Sequence, residues 1–323
     1  MDDEKNTDHI MRMETAASRA RISRVTLDAI GTQEELETSV PGLTLTKRTS
    51  PVPPTSYLYE PSLAMIVQGR KHVVLGQEHY WYDEASFLLT AVNLPTITEV
   101  LDASEDAPYL SILLKLDLDA ARDVITQVDL DGPSTASGTA MSVGPATPPL
   151  FDALERLVEL VQTPGDIRVL SGLIHREILY RVLTSPAGGR LRQTVTIGTQ
   201  SNRVARAVSW LRENYVVPLR VEDLAERCGM GVSTLHHHFR QLTAMSPLQF
   251  QKHLRLHEAR GMLLNGGVDA TTVAFRVGYE SATQFNREYR RMFGAPPMRD
   301  VKSLRLRVDV PSTTHRGVLA SIQ

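Results

Sequence analysis

Only one cysteine, Cys228, occurs in the 323 residues, so no intrachain disulfide can form, which fits a reducing compartment. No stretch approaches the run of about 18 uncharged apolar residues that a membrane-spanning helix needs. The opening text, MDDEKNTDHIMRMETAASRARIS, lacks an apolar segment and so is not a secretory signal. Periodic glycine and low-complexity tracts are missing too, which excludes a collagenous or mainly disordered chain. What is present is ordinary: 42% hydrophobic residues, 22% charged ones, and a length expected to give two domains. The expectation is a cytoplasmic two-domain protein with no membrane partner.

The net charge of −2 hides two halves of opposite sign. Residues 1–200 carry 17 Lys and Arg against 27 Asp and Glu, whereas residues 201–323 carry 18 against 10. A basic segment on an acidic chain is a footprint expected of nucleic-acid binding, because Lys and Arg displace counterions condensed on phosphates. A solvated basic surface without a partner gives the same count. Charge alone does not decide.

Along the chain, residues 1–24 read as a flexible N-terminal tail, although a helical pattern already begins near Met13 and runs to Thr38. The segment PGLTLTKRTSPVPPTSYLYEP, broken by Pro51, Pro53, Pro54 and Pro61, reads as extended chain and turns. Six strand-like runs follow: SLAMIVQG, KHVVLG, HYWY, SFLLTAV, TITEVLDA and PYLSILLKL. Their spacing suits a barrel or sandwich, not βαβ units. Asp117–Val128 reads as a helix, and DLDGPSTASGTAMSVGPATPP as a long loop. Leu150–Val161 and Asp166–Leu183 read as amphipathic helices that either form a dimer interface or pack on their own barrel. Residues 186–200 lack periodicity and read as the linker between a 25–185 domain and a basic 201–305 domain, with 306–323 as a C-terminal tail.

The strongest signal lies in VEDLAERCGMGVSTLHHHF. Val221, Leu224, Ala225 and Cys228 recur at i, i+3, i+4 and i+7 and so share one helical face. Gly229 ends that helix where a left-handed residue is needed, and Ser233 is expected to cap the next one, whose inner face is Leu235, Phe239 and Leu242. This is the spacing of a helix-turn-helix. The pattern then recurs: Ala225 and Gly229 map to Ala274 and Gly278, and Leu235, Phe239 and Pro247 map to Phe285, Tyr289 and Pro297. The second turn, GYES, is one residue longer. The motifs are expected at 221–242 and 269–292, joined by a helix over Pro247–Leu264 about 27 Å long at 1.5 Å per residue. Such a helix could hold two recognition helices about one DNA turn apart.

A tandem helix-turn-helix with SPLQFQKHLRLHEARGMLL between the copies, followed by VAFRVGYESATQFNREYRRMFGAPP, resembles the AraC/XylS family of transcription regulators. The upstream text, LYEPSLAMIVQGRKHVVLG through AVNLP to PYLSILLKLD, resembles the cupin-like N-terminal domain of one branch of that family. The resemblance implies an α+β two-domain protein, with an N-terminal cupin-like β-barrel flanked by helices and a C-terminal all-α tandem helix-turn-helix domain. It further implies a regulator that reads promoter DNA with two recognition helices in successive major grooves, contacts RNA polymerase, forms a homodimer and answers to a small-molecule effector.

Helical phase places Ser233, Thr234, His236, His237 and Arg240 outward in the first copy, and Ser281, Ala282, Thr283, Asn286 and Arg287 outward in the second. The family places base-edge readers at the positions matching Ser233, His236 and His237. Arg240 and Gln241 then fall where phosphate contacts belong, and Arg287 suits a bidentate guanine contact. Each could equally be a solvated helix position. The run His236–His237–His238 is not a metal site, because consecutive helical side chains point about 100° apart.

A metal-binding cupin needs a His-x-His pair, a carboxylate and a later histidine. Here His72 and His79 stand seven apart, Glu84 follows, and no histidine lies between 80 and 174. Neither metal, cofactor nor catalysis is therefore expected, and the competing reading of a cupin oxygenase or isomerase with a helical appendage also leaves the repeat unexplained. For an organic ligand the candidates are Arg70, Lys71, His72, His79 and Trp81.

Overall fold

The alternating apolar text from Ser62 to Lys115 folds into antiparallel strands. The computed structural model describes residues 13–128 and 137–308. A helix α1, Ala16–Ile30, precedes strands β1 Glu35–Glu37, β2 Leu43–Arg48, β3 Val52–Tyr59, β4 Ser62–Gln68, β5 Arg70–Leu75, β6 Glu78–Asp83, β7 Ser86–Thr90, β8 Leu94–Asp102 and β9 Tyr109–Lys115. Helix α2, Leu118–Gln127, strand β10, Met141–Pro145, and helices α3, Pro148–Glu159, and α4, Pro164–Thr184, follow.

The strands divide into two sheets, β1-β2-β9-β4-β7-β10 and β3-β8-β5-β6, rather than closing into one hydrogen-bonded barrel. Every pairing is antiparallel. This is compatible with a cupin-like jelly roll. Along β9, Leu110, Ile112 and Leu114 are buried while Ser111 and Leu113 are less so, the period-2 signature of a strand with one face on the core. The β5–β6 hairpin turns at Gly76, whose φ of +63° suits the tight loop between paired Leu75 and Glu78.

Five expectations need correcting or refining here. Residues 16–24 are not a tail: α1 buries Ile22, Val25 and Ile30, and Arg21 grips Glu155 of α3 through two hydrogen bonds. The proline-rich segment forms β2 and β3; β3 lies at a sheet edge, where Pro53 and Pro54 cost no ladder bond. The long loop contains β10, paired with β7, and Gly144 fits there because a Cβ would meet Phe87 at 2.5 Å; residues 129–136 of that loop lie outside the described residues. The linker is helical: α5, Gly189–Val195, buries Leu191 and Val195. The final helix also runs past 305, to Val308, while 309–323, like 1–12, lie outside the described residues.

The remaining helices are α6 Gln200–Glu213, α7 Val221–Arg227, α8 Val232–Thr243, α9 Pro247–Asn265, α10 Ala270–Arg276, α11 Ala282–Phe293 and α12 Pro297–Val308. The chain divides into two compact units, Met1–Glu213 with Leu219–Gln251 and Asn214–Pro218 with Lys252–Gln323. The first copy of the repeat thus belongs with the strands, and the second stands in the other unit. No helix among the described residues is long and apolar enough to cross a membrane.

Candidate nucleic-acid interface

Each copy builds a two-helix wedge whose inner side is apolar. In the first, Leu224, Ala225 and Cys228 meet Leu235, Phe239 and Leu242, and the Phe239 ring lies edge-on to Phe250, 5.5 Å between centroids. In the second, Val273, Ala274 and Val277 meet Phe285 and Tyr289 within a core that α9 completes with Leu256, Ala259 and Leu263. The two alanines are buried to 2% and 0%, so each wedge closes on a methyl group.

The turns carry left-handed glycines where expected: Gly229 at φ +63° and Gly278 at φ +90°. The first turn spans Cys228–Gly231 and the second Val277–Ser281, one residue longer as the repeat offset implied. Their surroundings differ. A Cβ at Gly229 would meet nothing within 4 Å, whereas at Gly278 it would fall 2.3 Å from the Val216 carbonyl oxygen. Arg255 explains that crowding, because its guanidinium donates to the carbonyls of Tyr215, Gly278 and Val216 at 2.7, 2.8 and 3.0 Å.

The caps differ as well. Helix α8 begins two residues earlier than expected, so Gly231 holds the cap position and Ser233 sits inside the first turn with an exposed side chain. In the second copy Ser281 caps α11, its hydroxyl accepting the Gln284 N–H at 3.3 Å. Asp269 caps α10, accepting from the N–H groups of Thr271 and Thr272 at 2.9 and 3.0 Å. Hydrogen bonds from Thr272 and then Thr271 hold its carboxyl below the usual range.

On α8, Ser233, Thr234, His237, Arg240 and Gln241 are exposed, and His236 is half-buried. The Gln241 side-chain oxygen accepts from His238 Nδ1 at 3.4 Å. On α11, Thr283, Asn286 and Arg287 are exposed and Ala282 is half-buried. Sequence reasoning passed over Arg290, exposed on the same face one turn beyond Asn286; that i+4 spacing was the available signal. Glu288 braces this helix, accepting from Tyr279, Lys252 and Gln284 at 2.9, 3.2 and 3.2 Å. Burial pushes its pKa up, but the bonds from Gln284, Tyr279 and Lys252 prevail and keep it ionised.

The five ligand candidates in the N-terminal domain do not converge. Strand alternation sends Arg70 and His72 to one face of β5 and Lys71 to the other. Arg70 pairs with Asp102 at 3.0 Å. His72 stacks on Trp81 at 3.8 Å between centroids and hydrogen-bonds His79 at 2.9 Å, and Trp81 is 55% exposed. Lys71 alone joins the tyrosines, donating to the Tyr59 hydroxyl at 3.1 Å with its ammonium 5.8 Å from the Tyr57 ring. Burial pushes the Tyr59 phenol up to about 12, so it stays protonated. Glu84, the carboxylate considered for a metal, accepts the Gly69 N–H at 3.0 Å.

Comparison with known proteins agrees with this layout. Residues 39–190 match the family model of the AraC-type transcriptional regulator N-terminus, and residues 224–302 match a helix-turn-helix domain model. The HTH-type transcriptional activator RhaS of Pectobacterium carotovorum subsp. carotovorum (strain PC1) is 29% identical over 156 residues, 48% of this chain and 53% of RhaS. RhaS of Salmonella schwarzengrund (strain CVM19633) is 28% identical over 155 residues. The chain thus spans about half the length of the curated relatives it matches. Among solved structures, ToxT from Vibrio cholerae O395 shares the fold at a TM-score of 0.53 and 9% identity, covering 84% of this chain and 98% of ToxT. A second ToxT structure, bound to (E)-4-(8-methylnaphthalen-1-yl)but-3-enoic acid, gives 0.55 at 11% identity, covering 80% and 99%.

Proposed function

We propose that this chain, which belongs to the AraC/XylS family of transcription regulators, controls transcription by binding double-stranded promoter DNA through both copies of its helix-turn-helix. The observation that carries this reading is the duplication: two wedges with matched cores and turn glycines, each presenting a polar helix face to solvent. In the first copy Ser233, Thr234, His236 and His237 read base edges while Arg240 and Gln241 meet phosphate. In the second, Thr283, Asn286 and Arg287 read bases, Ala282 meets a thymine methyl, and Ser281 fixes the start of the helix. The protein works without a cofactor of its own, and its relatives are regulators rather than enzymes.

A homodimer fits the outer face of α4, where Val169, Leu173 and Tyr180 are exposed along one stripe. A small-molecule effector fits the inner face of the N-terminal domain around Lys71, Tyr57 and Tyr59. RNA polymerase is the further partner expected of such a regulator in the cytoplasm.

Selection of bound sequences from a random double-stranded pool, using the full chain, tests the reading. An asymmetric motif of two blocks is expected, with Arg287→Ala relaxing one block and His237→Ala the other. Failure to enrich any sequence at moderate salt would overturn it. Leu173→Glu should convert the dimer to a monomer in light scattering.

A further inference from the structure

A cleft of about 440 Å³ opens within the first unit, among helices that belong to neither the strands nor the reading face. Helix α2 contributes Leu118 and Arg122, α5 contributes Thr194, α6 contributes Arg206 and Trp210, and α7 contributes Arg227. Three arginines thus face one volume, against a single lining carboxylate, Glu213.

The arginines are differently employed. Arg122 is anchored, its Nε donating to the Val195 carbonyl at 3.2 Å and its Nη1 to Asp119 at 2.6 Å. Arg206 Nη2 donates to the Arg227 carbonyl at 3.5 Å, and the Arg227 guanidinium lies 5.2 Å from the centre of the Trp210 ring. Among the described residues, neither Arg206 nor Arg227 has a carboxylate within ion-pair distance. Independently of these charges, Thr194 is only 2% exposed and its hydroxyl oxygen has no hydrogen-bond partner among the described residues. A buried hydroxyl left unpaired is a standing cost that a ligand oxygen would remove.

We propose that this cleft binds a small aromatic carboxylate, with the carboxylate on Arg206 and Arg227, the ring against Trp210, and the Thr194 hydroxyl donating to the ligand. Guanidinium groups suit carboxylates because their donors match the geometry of two oxygens. The apolar part of the lining, Leu118, Val195 and Ala205, suits a flat hydrocarbon body rather than a bare inorganic anion. The site is separate from the tyrosine-lined region around Lys71, and its occupancy does not depend on DNA binding.

The chain has two tryptophans, so Trp81→Phe leaves Trp210 as the sole indole reporter. In that full-length background, benzoate and phenylacetate should change the Trp210 emission saturably, with benzyl alcohol at least tenfold weaker. Arg206→Gln should weaken the carboxylates at least tenfold without changing benzyl alcohol, and Thr194→Val should weaken them several-fold. Circular dichroism and thermal melting of each variant separate a lost site from a lost fold. Unsaturable responses to both carboxylates, equal responses to benzyl alcohol, or competition by inorganic phosphate at equal concentration would each overturn the proposal.

Discussion

Arg260 and Asp300 form a two-point ion pair, Nε to Oδ2 at 2.8 Å and Nη2 to Oδ1 at 2.9 Å, that ties α9 to α12 inside the second unit. The Tyr289 hydroxyl donates to the same carboxylate at 2.9 Å, so one aspartate also holds α11, the reading helix of the second copy. Both charged side chains are largely buried. Asp300→Ala therefore strands a cation and should destabilise this unit by about 3 kcal/mol in chemical denaturation. Arg260→Met with Asp300→Leu should cost less than Asp300→Ala alone, because no charge is then left unpaired.

The two turn glycines make a matched pair of tests. Gly229→Ala meets open space and pays only the left-handed backbone term, about 1 kcal/mol. Gly278→Ala adds a collision with the Val216 carbonyl and the Arg255 guanidinium, and should unfold the second unit or lower its melting temperature by several times as much. Equal losses would mean that the crowding around Gly278 relaxes freely.

Arg287→Ala should weaken specific DNA binding by about 1–3 kcal/mol and relax preference at one base position. Arg290→Ala should weaken binding on all sequences alike and lower the salt slope by about one. Titrations on the selected site and on a scrambled duplex at three salt concentrations distinguish the two roles.

His257 on α9 gives a pH dependence with a definite sign. Burial first, then His253 and Arg260, push its pKa from 6.5 down to about 3, and its ring lies 5.7 Å from that of Phe293. Between these values the unfolded chain binds a proton that the folded chain refuses, so stability falls as pH drops below about 6.5. At pH 5 this one group should cost about 2 kcal/mol relative to pH 7. His257→Gln should flatten the slope of denaturation midpoint against pH across that window; an unchanged slope would assign it elsewhere.

The helix-turn-helix repeat was legible because its determinants are local: a small residue, a glycine four later and an apolar residue six (first copy) or seven (second copy) after that fix each wedge. The six strands from Ser62 to Lys115 were legible for a similar reason, since period-2 alternation needs no partner to be seen. What escaped depends on distant partners. The helical pattern of α1 was visible, but not its docking through Arg21 reaching Glu155, and β10 exists because β7 offers it a free edge. Ser233 looked like a cap by residue type, but the helix starts two residues sooner. The ligand candidates were grouped by nearness in sequence, and the strand pleat separated Lys71 from His72. The cleft around Trp210 drew residues from 118 to 228 and left no mark on any one segment.

The extra residue in the Val277–Ser281 turn reaches beyond local geometry. It comes with a serine rather than a glycine ahead of the reading helix, and with different outward side chains. The two copies are therefore not interchangeable, and one polypeptide carries a first word and a second. DNA read by a single chain acquires an arrow: inverting the site turns the bound protein around, so that its two ends exchange places relative to the rest of the promoter. A promoter would then record orientation as well as location, and reversing the operator should abolish regulation even though every base pair is retained.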